Sequence, residues 1–227
     1  MTGLRLVSWN IRSLRDDAAM VARVLRHLEP DVVCLQEVPR FLGGSRALRR
    51  MTSQAGLDVL VHRRPARPLA VLGRPGITAG RSVAVRLTYT PRLHRRSFVA
   101  TEVNVPDRPR VVVGSMHLGL HEDERSRHVP EVLTALADLG PGRRILAGDV
   151  NARPGDPPWR ALVASGLVDA GAAEGVPTST AANPHQRIDA VFVGPGLRVL
   201  TCRPPAGIAD LHRASDHLPL VCDLEYA

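Results

Sequence analysis

Several runs of apolar residues in this chain end, or begin, in a polar residue of a kind that does chemistry. Asn10 closes LRLVSWN, Glu37 follows VVCLQ, His117 closes VVVGSMH, and Asp149 and Asn151 close RILAGDVN. Asp189 opens DAVFV, and Asp216 with His217 stands just before LPLVCDL. Burying such groups at strand ends costs free energy unless each is paired or ligated, and a shared polar site offsets that cost. If GDVN is extended, Asp149 and Asn151 project to one face. There a carboxylate can orient or deprotonate water while an amide donates to a phosphate oxygen. Taken alone, GDxN is equally a turn after a buried strand, and the DH pair equally a turn or a helix cap.

The elements that must hold these residues read as mixed α/β. Runs rich in Val, Ile and Leu, bounded by turn signals, predict strands at LRLVSW, DVVCLQEV, LDVLVH, SVAVRLT, FVATEVNV, RVVVGSMHL, RILAGDV, IDAVFV and LPLVCDLEY. Helical spacing of apolar residues marks DDAAMVARVLRHL, SRHVPEVLTALADL and the shorter WRALVASG. Pro and Gly punctuate HRRPARPLAVLGRPGITAG, ARPGDPPW and GPGLRVLTCRPPAG, which are read as surface loops. Strands on both sides of each loop are needed to complete the sheets, so one domain over residues 1–227 is expected.

Composition sets outer bounds. The 227 residues, 44% hydrophobic and 23% charged, suit a folded globular chain. The net charge is +8 and all 30 basic residues are Arg. Arginine forks onto phosphate oxygens, so the charge permits a phosphate-rich partner, although a GC-rich coding bias produces the same composition. Cys34, Cys202 and Cys222 lack metal or CxxC spacing and are expected to be free, apolar fillers. No stretch approaches the roughly 20 apolar residues of a membrane span, and the first residues have no charged leader followed by an apolar segment. A monomeric, cytoplasmic protein is the expectation.

Read together, SWN, LQEV, MHL, GDVNARP, RIDAVFV and SDHLPL stand in the order and approximate spacing of the endonuclease/exonuclease/phosphatase superfamily, the deoxyribonuclease I-like fold, which the chain resembles. The resemblance runs from Ser8 to Leu218. It implies a four-layer α/β sandwich of two packed, mostly antiparallel sheets flanked by helices. It also implies a site in which Glu37, with Asn10 and Asp216, holds Mg²⁺ or Mn²⁺. In that scheme Asp149 is the base for the attacking water, Asn151 orients water and phosphate, and His217, backed by Asp189, and His117 contact the scissile phosphate. Arg125, after the HL motif, suits a structural ion pair with a neighbouring acid at least as well as a phosphate contact and is not placed among the catalytic residues.

The resemblance does not extend to every detail. FVATEVNVPDRPRVVV lacks the tyrosine of abasic-site endonucleases, and no glutamate partner for the first histidine is identifiable. Only Trp159 and Phe41 offer themselves for stacking on bases, and Trp159 suits a core anchor equally well. The expected activity is metal-dependent phosphodiester hydrolysis, foremost in nucleic acid, with HRRPAR and LHRRS available to track a phosphate backbone. The alternatives are a phosphatase or phosphodiesterase of a small phosphorylated metabolite or lipid headgroup, and a nucleic-acid-binding module without turnover.

Overall fold

The computed structural model describes residues 3–227 as two six-stranded sheets with helices on their outer faces. The first begins with β1 (Gly3–Asn10), α1 (Ala18–Leu28) and β2 (Val32–Gln36), a right-sized crossover that makes β1 and β2 parallel. It then takes in β3 (Asp58–Val61) and β4 (Ala70–Gly73), and is completed by β11 (Leu197–Arg203) and β12 (Leu220–Tyr226), in the order β11-β12-β1-β2-β4-β3. The second sheet contains β5 (Thr78–Arg86), β6 (Ser97–Asn104), β7 (Val111–His117), β8 (Arg143–Asp149), β9 (Val168–Asp169) and β10 (Asp189–Val193), in the order β5-β6-β7-β8-β10-β9. Its parallel pair is β7 with β8, joined through α3 (Glu122–Ala137). All other pairings are antiparallel.

Burial explains the layers. Leu6, Val32, Cys34 and Val71 of the first sheet share an apolar middle core with Val99, Val113, Ile145 and Val191 of the second. A second core joins the outer face of the first sheet to α1 and α2 (Gly44–Ala55), and a third joins the second sheet to α3 and α4 (Pro157–Ala164). Central strands are therefore covered on both faces, which is why β2, β7 and β10 are buried throughout and show no polar alternation. The four-layer arrangement agrees with the expected sandwich. Among the described residues no helix is long and apolar enough to cross a membrane, and the three cysteines are free and buried.

Four elements differ from the sequence reading. The segment from His62 onward is not one loop: it contains β4 and the start of β5, because Ala70, Val71 and Leu72 are wholly buried between neighbouring strands. GPGLRVLTCRPPAG likewise contains β11, an edge strand paired to β12. The α2 helix leaves no clear signal in the sequence, although Leu48, Met51, Thr52 and Ala55 form its buried stripe at helical spacing. The two-residue β9 is too short to leave a pattern.

Candidate active site

The topology explains why distant polar residues meet. Both parallel pairs run toward the same edge of the sandwich, so β1, β2, β7 and β8 deliver Asn10, the residue after Gln36, His117 and Asp149 to one place. Antiparallel neighbours begin there: Asp189 of β10 faces Asp149 in register, and the Ser215–His217 segment leads into β12, whose Leu220 faces Ser8. Gly148 permits the approach of β8 to β7, since a side chain at its φ of +149° would collide with the Met116 carbonyl.

Asp149 is the centre of the resulting network and is 2% exposed. Its Oδ2 accepts from Asn10 Nδ2 at 3.1 Å and lies 3.2 Å from His117 Nε2 and 3.9 Å from His217 Nε2. Its Oδ1 accepts from the Asn151 backbone N–H at 3.0 Å. Asn10 Nδ2 also donates to Glu37 Oε1 at 3.2 Å, the one side-chain partner of Glu37 among the described residues. Glu37 itself adopts a left-handed φ of +52°, which turns its carboxylate out of the strand and into the cleft.

His217 Nδ1 is 2.9 Å from Asp189 Oδ2, which fixes the ring and its tautomer. Burial opposes charge on this ring, but the facing carboxylates of Asp189 and Asp149 outweigh it and push the pKa up to about 10. Asp149 moves upward, because burial and the Asp189 charge disfavour its ionised form. His117 moves the other way, held neutral by burial and by the Arg96 guanidinium, whose Nη1 is 3.1 Å from Nδ1 and 2.6 Å from Nε2. A guanidinium can only donate, so the neutral ring must offer it a lone pair, and the ring stands between this donor and Asp149 Oδ2.

Of the eight residues singled out from the sequence, seven stand in this network or next to it. Asp216 is set apart on the rim, its half-exposed side chain paired with Arg12 Nε at 3.4 Å, and it connects inward through Ser215 and Arg12, both bonded to Asn10. Asn151 corrects the expectation of an extended GDVN. Its φ is +51°, so the chain turns there and Nδ2 donates to the Leu118 carbonyl at 3.1 Å, leaving the side chain on the cleft wall. Arg125 forms no ion pair among the described residues; it donates to the Gly119 and Leu120 carbonyls, holding the loop after His117. Trp159 is a core anchor, 2% exposed, bonded to Asp169 and edge-on to Phe192, whereas Phe41 is 56% exposed.

The sequence reading had LHRRS, which holds His94 and Arg96, only as a stretch to track a phosphate backbone, and it missed Arg40 and Arg15; all four line a cleft of about 360 Å³ together with Glu37, His117, Asp149, Asn151 and His217. A signal existed for Arg96: LHRRS runs directly into β6, where Ser97 is the register partner of His117. Asp149, Asp189 and His217 offer ligand atoms within 4.8 Å of one another. Asp189, His217 and Asp149 form a relay of contacts, with a 2.9 Å hydrogen bond between the first two and an ion-pair distance of 3.9 Å from His217 to Asp149, while Asp189 Oδ1 is buried without a partner among the described residues. The oxygen donors Glu37 and Asn10, beside Asp149, are what a hard divalent cation prefers.

A family model described as the endonuclease/exonuclease/phosphatase family matches residues 7–217. No curated protein sequence matches the chain. Among solved structures, the endonuclease/exonuclease/phosphatase from Beutenbergia cavernae DSM 12333 superposes with a TM-score of 0.79 at 25% identity, covering 100% of this chain and 72% of that one. The human nocturnin catalytic domain with bound sulfate anion gives 0.77 at 18% identity, covering 100% and 95%. A mannosyl-6-phosphatase from Bacteroides thetaiotaomicron VPI-5482 gives 0.81 at 18% identity, covering 98% and 100%. The last two likenesses establish the fold alone.

Proposed function

The chain belongs to the endonuclease/exonuclease/phosphatase family, a superfamily of metal-dependent phosphoesterases, and we propose that it hydrolyses phosphodiester bonds in nucleic acid with Mg²⁺ or Mn²⁺ as cofactor. The observation that carries this reading is the relay Asp189–His217–Asp149 meeting the Asn10–Glu37 pair on the floor of one arginine-rimmed cleft. We take the two sheets as one catalytic domain, working as a monomer in the cytoplasm.

Glu37 and Asn10 are the residues that would hold the cation, with Asp216 contributing from the rim through water. When bound there, a divalent cation polarises a phosphoryl oxygen and makes water more acidic. The residues of the chain supply the rest. Asp149 takes the proton of the attacking water, its second oxygen fixed by the Asn151 N–H. His217, kept cationic by Asp189, donates to the phosphoryl oxygens as negative charge builds on them. Arg96 and neutral His117 on the opposite wall, and the Asn151 amide, orient the phosphate.

One observation favours the second reading, a phosphatase or phosphodiesterase of a small phosphorylated molecule. The cleft of about 360 Å³ is the size of a ligand pocket, and one protein of the same fold is a mannosyl-6-phosphatase. Hydrolysis with Mg²⁺ and with Mn²⁺ across plasmid DNA, abasic duplex, RNA, bis-p-nitrophenyl phosphate and phosphorylated sugars separates the readings. Cleavage of nucleic acid or diester, lost in Asp149→Ala and His217→Ala, is the expected result. Phosphate release from monoesters alone would move the chain to the second reading, and no turnover with either metal would leave a binding module.

A further inference from the structure

Next to the catalytic cleft lies a groove of about 430 Å³ lined by Arg40, Arg64, Arg67, Arg86, Arg95 and the Pro65, Pro68 and Ser97 positions between them. The two spaces are continuous, because Arg40, Pro68, Arg95 and Ser97 form a wall common to both. The arginines arrive from four separate segments: the turn after β2, the β3–β4 connection, the end of β5 and the approach to β6. No acidic residue lines the groove, and among the described residues none of the five arginines forms an ion pair. Arg95 is steadied without losing its charge, its guanidinium 4.2 Å above the Tyr89 ring.

Like charges gathered in one concavity repel one another and focus an attractive potential for anions. Elsewhere in this chain arginines are drawn onto carboxylates, as with Arg5 on Asp223, Arg74 on Asp31 and Arg187 on Asp169. We propose that the groove is a second phosphate subsite, which holds the backbone phosphate flanking the scissile one on a nucleic-acid strand. This rests on the phosphodiesterase reading above and adds to it the direction in which substrate extends: from the Asp149 floor, past Arg40 and Arg95, toward Arg64, Arg67 and Arg86. A strand places phosphates at regular intervals along that path, whereas a ligand with one phosphate fills only the cleft.

The test is the triple variant Arg64→Gln, Arg67→Gln, Arg86→Gln, whose positions are exposed and outside the cleft lining. A fluorescein-labelled oligothymidylate is titrated in EDTA at several salt concentrations, so that binding is read without turnover. Hydrolysis of bis-p-nitrophenyl phosphate is measured in parallel with Mg²⁺. Loss of roughly tenfold or more in oligothymidylate affinity at low salt is expected, with the slope of log Kobs against log salt flatter by about 0.7, the value for one lost phosphate contact on a single strand. Bis-p-nitrophenyl phosphate turnover stays at the wild-type value. Unchanged affinity and slope would overturn the subsite, and so would a parallel loss of bis-p-nitrophenyl phosphate turnover. Displacement of the oligothymidylate by fructose 1,6-bisphosphate from wild type but not from the triple variant would give the groove to a small bisphosphate and overturn the strand. Absence of any hydrolysis by wild type would sink the functional reading instead, while the EDTA titration would still decide the subsite.

Discussion

At the end of the sandwich opposite the catalytic cleft is a cavity of about 1100 Å³, lined among others by Arg5, Asp31, Arg74 and Asp223. It is far roomier than the cleft of about 360 Å³. Two of its arginines, however, are held on carboxylates within the protein: Arg5 Nε is 2.7 Å from Asp223 and Arg74 Nε is 2.5 Å from Asp31. At the catalytic end the arginines of the groove have no carboxylates, and the acids of the floor are bonded to histidines and amides instead. Volume alone would have selected the other end. The difference lies in whether a charge already has a partner, and unpartnered charge marks the end that awaits a ligand.

The largest effect should come from loosening the relay while leaving its shape. Asp189→Asn keeps the volume but removes the charge that holds His217 cationic and in one tautomer, so kcat is expected to fall by roughly a hundredfold or more with KM little changed. A proportionate rise in KM instead, seen in the same steady-state kinetics, would show that Asp189 serves substrate binding. Next is a paired arginine buried near the site. Arg187 bonds to Asp169 with both on the order of a tenth exposed, and its guanidinium lies 4.9 Å over the Trp159 ring. Removing it strands a buried carboxylate, so Arg187→Ala should cost about 3 kcal/mol or more. For a chain of this size that lowers Tm by about 10 °C, readable by calorimetry.

The smallest effect belongs to the far end. The Arg5–Asp223 pair is partly exposed, so Arg5→Ala should cost no more than about 1 kcal/mol, with turnover and the salt dependence of oligothymidylate binding untouched. A changed salt slope in that variant would erase the contrast between the two ends, because it would mean that charge anywhere on the surface attracts the substrate.

The site was legible in the sequence where a polar residue interrupts an apolar run at the end of a buried strand. Asn10, His117, Asp149 and Asp189 stand out for that reason, and the order of the motifs supplied their grouping. Arg40 was not legible and Arg96 only as part of LHRRS, because an arginine in a chain whose basic residues are all arginine carries little local contrast; the register of Ser97 with His117 shows where Arg96 is. The layers were readable from apolar runs, but β4 was hidden. Its four residues lie between Pro68 and Pro75, which advertise a loop, while burial between β2 and β3 decides otherwise. The α2 stripe was masked by Gly43, Gly44 and a succession of arginines on the exposed face.

Asn10 closes a strand of the first sheet, yet its amide reaches Asp149 of the second as well as Glu37 of its own. One side chain is thus a clasp across the seam of the sandwich, tied to the acid proposed as cation ligand on one side and to the proposed base on the other. On the proposed reading neither sheet alone carries the site, so turnover would depend on how closely the two sheets dock.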